Sequence, residues 1–131
     1  MADLVHVVAA VIQRESRYLI TRRNEGTHLA GLWEFPGGKV GAAETPEAAL
    51  RRELREELGV DAAVGDLMET VTWSYPEKTV RILFFRCALH GEPCPQEGQE
   101  MRWAEGPALP TYAFPEADRR LVERLSQPDQ P

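Results

Sequence analysis

The chain is poor in cysteine, has no surplus of positive charge and contains no long apolar run. Its two thiols, Cys87 and Cys94, lack the spacing of metal ligands, so they read as free and the chain as cytoplasmic. No segment reaches the ~20 apolar residues of a membrane span, and the first residues lack the basic-then-apolar order of a secretion signal. No membrane partner is expected. A net charge of −6 excludes broad binding to a nucleic-acid polymer, which needs a basic surface. A single nucleotide stays open, because a metal and a few local cations can meet its phosphates. No internal repeat is visible, and no Ser/His or Cys/His arrangement offers a nucleophile. No exposed apolar face stands out, so a monomer is the expectation.

What is present suffices for one domain: 131 residues, of which 43% are apolar. Residues 1–126 are expected to form it, with 127–131 a short polar tail. Residues 4–13 form a β-branched apolar run, expected to be a strand buried on both faces. His6 within it reads as structural. After a turn at Glu15-Ser16, residues 17–21 continue as a second strand. Residues 62–75 read as a long strand with weak alternation, and Pro76-Glu77-Lys78 as a hairpin turn. Residues 79–89 place Val80, Ile82 and Phe84 opposite Arg81, Leu83 and Phe85. Residues 114–125 read as an amphipathic helix with Pro115 at its start and Ala117, Leu121, Val122 and Leu125 inward. Strands interleaved with two helices make an α/β design with a mixed sheet.

The informative stretch runs from Gly38 to Val60. Thr45 suits a helix N-cap, Pro46 the first helical position, and Gly59 the residue past the last turn. At about 100° per residue, Leu50, Leu54 and Leu58 form one apolar stripe. Glu53, Glu56 and Glu57 fall beside that stripe, not opposite it. Two carboxylates about 5–6 Å apart on a helix repel by roughly 3 kcal/mol at an effective dielectric near 20. A divalent cation would remove that repulsion and turn the acids into an oxygen-ligand site. The helix alone also fits an ordinary solvated acidic face, with Arg52 and Glu56 as an i,i+4 pair.

The preceding residues decide between these. Phe35-Pro36-Gly37-Gly38-Lys39 reads as a tight turn whose glycines take backbone angles closed to other residues and admit a ligand closely. Gly38, Glu44, Arg52-Glu53-Leu54, Glu56-Glu57 and Gly59-Val60 then match all nine fixed positions of the Nudix box at its spacing. The string Leu32-Trp33-Glu34-Phe35-Pro36-Gly37-Gly38-Lys39 resembles the MutT branch of that family. Positions 41–43, Gly-Ala-Ala, differ from the branch's usual acid-first, glycine-last pattern at free positions of the box.

The resemblance implies an α/β/α sandwich with a helix on each side of the sheet, and a Mg²⁺-dependent enzyme, with Mn²⁺ as a substitute, that splits a nucleoside triphosphate into monophosphate and pyrophosphate. It implies a metal shell from the Gly37 carbonyl, Glu53, Glu56, Glu57 and Glu97, with Glu100 as the fallback for the last. Glu53 is the implied base, with Glu97 the alternative. Arg52 would orient the carboxylates and Glu44 would support the loop–helix junction. Arg23 is placed at a phosphate, where a guanidinium fork suits the oxygens. Lys39 and Lys78 are further substrate contacts. The Phe35 backbone is a reader of the base edge, while its ring and that of Trp33 are expected to pack. His28 is hinted to lie near the nucleotide.

Substrate choice turns on Phe114-Pro115-Glu116-Ala117-Asp118. MutT proteins that remove 8-oxo-dGTP carry asparagine at the last of these positions. Aspartate there also resembles the branch that cleaves CTP and modified cytosine triphosphates. An ionised carboxylate only accepts, and Asp118 could donate to an oxo group only if protonated. Oxidised purines and cytosine nucleotides are therefore both carried forward. A ligand-sensing module without catalysis and a prenyl diphosphate isomerase on the same fold are the competing classes. The first typically loses box carboxylates that are all present here, and the second needs a catalytic cysteine and insertions.

Overall fold

The computed structural model of the chain describes residues 4–27 and 29–127. His28 and most of the expected tail (from residue 128) lie outside the described residues. Five strands run in the order β3-β2-β1-β6-β5 through one mixed sheet. They are β1 (Leu4–Arg14), β2 (Arg17–Arg22), β3 (Trp33–Glu34), β5 (Ala62–Ser74) and β6 (Thr79–Leu89). Two more join off that path: β4 (Gly37–Lys39) pairs with β1, and β7 (Met101–Glu105) pairs with β2. β1 and β6 are parallel, in register from Leu4 opposite Thr79 to Ile12 opposite Cys87.

This central parallel pair explains the apolar run at the start of the chain. Val8, Ala10 and Ile12 join the core on one face, and Ala9 and Val11 join the core on the other. Burial on both faces holds only there. Leu4 and His6 are exposed, so the expectation for the whole run is corrected to its second half. β6 divides the same way, with Val80, Ile82 and Phe84 on one face and Phe85 and Cys87 on the other. β5 has one partner strand and two register shifts between Val64 and Glu69, which accounts for its weak alternation.

Helix α1 (Pro46–Leu58) covers one face of the sheet. Thr45 caps it by accepting from the Ala48 N–H at 3.1 Å, and Gly59 ends it at φ 63° in the left-handed region. Leu50, Leu54 and Leu58 are fully buried, as their periodicity requires. Three of the donors at its C-terminal end come from the loop between β6 and β7. The Cys94 N–H bonds the Leu58 carbonyl, while the Gln96 N–H and the Gln99 amide bond the Glu57 carbonyl. Segment 91–100 is thereby held onto α1.

Helix α2 (Arg119–Ser126) covers the opposite face through Leu121, Val122 and Leu125. The expected helix over 114–125 starts late. Pro115 is extended (φ −61°, ψ 151°), and Glu116–Asp118 form a 3₁₀ turn before the α-helix begins. That turn rotates Asp118 inward, where it is 6% exposed.

The glycines before α1 are also used differently from the expectation. Neither Gly37 nor Gly38 has a positive φ; both lie in β4, antiparallel to β1. Gly37 is needed for close approach. A Cβ there would sit 1.9 Å from the Val8 carbonyl oxygen, and backbone cannot yield as a side-chain tip can. Gly37→Ala is therefore expected to break the β1–β4 pairing and lower the Tm by more than 10 °C or leave the protein insoluble, on the order of several kcal/mol. Thermal unfolding checks this, and a shift of only a degree or two would show that β4 is not held by that contact.

Candidate functional site

β1, β4, α1, β6 and the 3₁₀ turn around a cavity of about 400 Å³. It collects Arg23, Phe35, Gly37, Lys39, Glu53, Glu57, Lys78 and Asp118 from five separate stretches of chain. A smaller cavity of about 120 Å³ shares Arg23, Glu34 and Glu57 with it and adds Glu97. Phe35 is buried, stacks on Phe114 at 5.3 Å and meets Phe84 edge-on. Trp33 packs against Tyr112.

α1 sets the acids. Glu53 and Glu57 face the cavity because they flank the buried leucine stripe, whereas Glu56 lies further out, with its side chain 56% exposed. Arg52 ties the group together. Its Nε and Nη2 grip both oxygens of Glu44, at 2.6 and 2.8 Å, and its Nη1 donates to Glu53 and Glu56 at 2.9 and 3.1 Å. Nη2 also donates to the Lys39 carbonyl at 3.1 Å, which fastens α1 to β4. The Arg52 bonds, with a further one from the Gly41 N–H, bring the Glu44 carboxyl down to about 2. Gly38 lies directly under Glu53; a Cβ would meet that carboxylate at 2.4 to 2.7 Å.

The charge balance around Glu57 is poor. Burial raises its carboxyl from 4.5 to about 9, and the charges of Glu34, Glu53 and Glu97 add to the effect, against one bond from the Gly37 N–H at 3.2 Å. Burial raises Glu53 too, opposed by Arg52. Among the described residues no three acids are already closed into a coordination sphere. The donor set is nevertheless all oxygen, and its excess negative charge calls for a hard cation.

Asp118 lies in the same cavity with no hydrogen bond to its carboxylate among the described residues, and burial moves it from 3.8 to about 7. The Glu34 charge raises it further and Arg23 opposes. The sequence reading gave no role to two residues. Glu34 lies outside the box motif, yet it pairs with Arg23 at 2.7 Å, and burial pushes its carboxyl up against the opposing charge of Arg23. Gln99 accepts from the Glu97 N–H at 2.9 Å and bonds the Glu57 carbonyl at 3.0 Å, fixing where the Glu97 loop sits. The only hint of Glu34 was its position in the string before the glycines, and of Gln99 none. Glu100, the fallback for Glu97, pairs instead with Arg22 and Arg102.

Set against known proteins, this architecture is that of a phosphoric-anhydride hydrolase. Residues 7–124 match the family model described as NUDIX domain. The 8-oxo-dGTP diphosphatase of Haemophilus influenzae is 43% identical over 124 residues, covering 93% of this chain and 91% of that one. The CTP pyrophosphohydrolase of Escherichia coli is 38% identical, covering 92% and 90%. The crystal structure of a MutT protein from Methanosarcina mazei Go1 matches with a TM-score of 0.85 at 28% identity, over 95% of this chain and 94% of that one. The chain belongs to the Nudix family and is one of its hydrolases, of the MutT-like branch. Enzymes of this family generally use a divalent metal. Among the described residues, no helix is long and apolar enough to cross a membrane.

The position of Glu57 fixes the sign of a pH effect. Its folded value of about 9 lies above the ordinary 4.5. The stability it contributes is thus fully present below about pH 4.5 and is lost as pH rises towards 9. Glu57→Gln mimics the protonated acid. Without metal, it should match the parent near pH 4.5 and exceed it by several degrees in Tm near pH 8. Mg²⁺ should narrow the difference by stabilising the parent alone. Parallel Tm–pH curves for the two proteins would show that Glu57 carries no such burden.

Proposed function

We propose that residues 1–126 form a single cytoplasmic, monomeric catalytic domain that hydrolyses nucleoside triphosphates to monophosphate and pyrophosphate, with oxidised purines such as 8-oxo-dGTP preferred. One observation carries this reading. The acids of α1, the cation of Arg23 and the buried carboxylate of Asp118 line one cavity of about 400 Å³. That volume suits a nucleotide. The similarity to the 8-oxo-dGTP diphosphatase of Haemophilus influenzae supports it.

Mg²⁺, for which Mn²⁺ can substitute, would be held by the Gly37 carbonyl, Glu53, Glu56, Glu57 and Glu97, and when bound it neutralises phosphate charge and acidifies water. Glu53 is the base. Its Oε1 is occupied by Arg52 at 2.9 Å, which leaves Oε2 to receive the proton of the attacking water. Glu97 is the alternative base. Arg52 orients Glu53 and Glu56, and Glu44 locks Arg52. Arg23 binds phosphate oxygens as a guanidinium fork, and Lys39 and Lys78 add positive charge at the cavity wall. The base lies between the Phe35 segment and Asp118.

Asp118 decides the base. Near pH 7 its acid and its carboxylate are both populated. The acid donates to an oxo group and the carboxylate accepts from N–H groups, so together they cover what an asparagine amide offers. The ionised form alone suits the amino group of cytosine. CTP and modified cytosine triphosphates are therefore the second reading, favoured by the aspartate itself and by the similarity to a CTP pyrophosphohydrolase.

A panel of triphosphates with Mg²⁺ tests the activity. Release of pyrophosphate with the monophosphate is expected, fastest from 8-oxo-dGTP; failure to turn over any triphosphate would favour a ligand-sensing module. Asp118 has its own test. The ratio of kcat/KM for 8-oxo-dGTP over CTP should fall several-fold from about pH 6 to about pH 8, as the donor form is lost. Asp118→Asn should flatten that slope and raise selectivity for 8-oxo-dGTP over dGTP. An unchanged slope in the variant would remove Asp118 as a reader of the base.

A further inference from the structure

We propose that Glu34 is a positioning residue: it aims the Arg23 guanidinium into the nucleotide cavity and thereby sets affinity for the phosphate chain. This rests on the reading of the cavity as a nucleotide site and extends it to a residue outside the box motif. Glu34 Oε2 accepts from Arg23 Nη1 at 2.7 Å, with the two side chains only 23% and 29% exposed. Both residues line the large cavity and the small one beside it. The guanidinium is a planar fork, so holding one arm fixes the plane in which the others point.

The fold has no need of this pair to join its strands. β2 and β3 are already held by ladder pairs (Thr21 with Glu34, Arg22 with Trp33). Beyond them, the Arg23 N–H bonds the Leu32 carbonyl at 2.8 Å and the Arg23 carbonyl accepts from the Gly31 N–H at 3.0 Å. A largely buried ion pair is a poor source of stability, since desolvation offsets most of the attraction. Nor is Glu34 disposed as a helix acid would be. It enters from strand β3, and its carboxylate pairs with the cation of Arg23. The arrangement is that of a side chain acting through a second one.

Steady-state kinetics on a triphosphate substrate, together with calorimetry of a nucleoside monophosphate on metal-free protein, test this. Glu34→Gln keeps the shape but weakens the charge-assisted bond. It should raise KM and the monophosphate Kd about tenfold, while kcat stays within about threefold. Glu34→Asp, which keeps the charge on a shorter arm, should fall between, and it carries the same comparison if Glu34→Gln does not fold. In an Arg23→Gln background, adding Glu34→Gln should cause no further loss. Unchanged KM and Kd, or losses that multiply in the double variant, would each overturn the proposal. If the parent protein turned over no triphosphate, the function proposed above would fail, and the monophosphate affinities would still decide the role of Glu34.

Discussion

Four carboxylates, those of Glu34, Glu53, Glu57 and Glu97, act on one another through a space that water only partly reaches. Like charges at such range cost several kcal/mol unless something intervenes, and most of the local structure consists of the interventions. Arg52 spends every arm of its guanidinium on Glu44, Glu53, Glu56 and the Lys39 carbonyl. Glu44 in turn is stabilised strongly enough to stay ionised to about pH 2, so Arg52 is pinned from outside the cluster. Glu57 has no cation of that kind beside it. Its environment asks for a proton or a metal, and this asymmetry separates the residue that most needs a cation from those already provided with one.

Holding the cluster in place requires backbone to come unusually close. Gly37 lies under the Val8 carbonyl and Gly38 under the Glu53 carboxylate, so neither can carry a Cβ without moving its neighbour. β1 is buried on both faces where β4 joins it, which makes that edge rigid. On the other side, the last carbonyls of α1 receive donors from Cys94, Gln96 and Gln99. Bonds that would otherwise go to solvent at a helix end thus carry a loop acid, Glu97, up to the helix acids. Helix termination and site assembly are the same set of hydrogen bonds.

This division decides what could be read from the residues in a row. The cap, the stripe and the stop of α1 are local, each settled within four residues, and they match the structure position by position. So do Glu53 and Glu57 beside the stripe, because a helix fixes their direction, whereas Glu56 lies further out. The box spacing brought the family with it, and through the family the sheet between two helices. What failed or was missed depends on distant chain. Gly37 and Gly38 looked like turn residues because their true constraint, β1, lies about thirty residues upstream. The last helix looked longer because its apolar spacing continues through Ala117, while Pro115 and the bend at Asp118 alter only the backbone path. Gln99 carries no periodic or motif signal and Glu34 only its place in the string before the glycines, since each meets a partner that only the fold supplies.

Asp118 is the clearest case of a residue whose cost identifies its use. A carboxylate 6% exposed with no hydrogen-bond partner among the described residues burdens the folded state, and a leucine there would bury at no such penalty. Glu34 raises it and Arg23 lowers it, so the buried carboxylate is electrically tied to an ion pair that lines the same cavity, a dependence that a neutral amide at position 118 would not have.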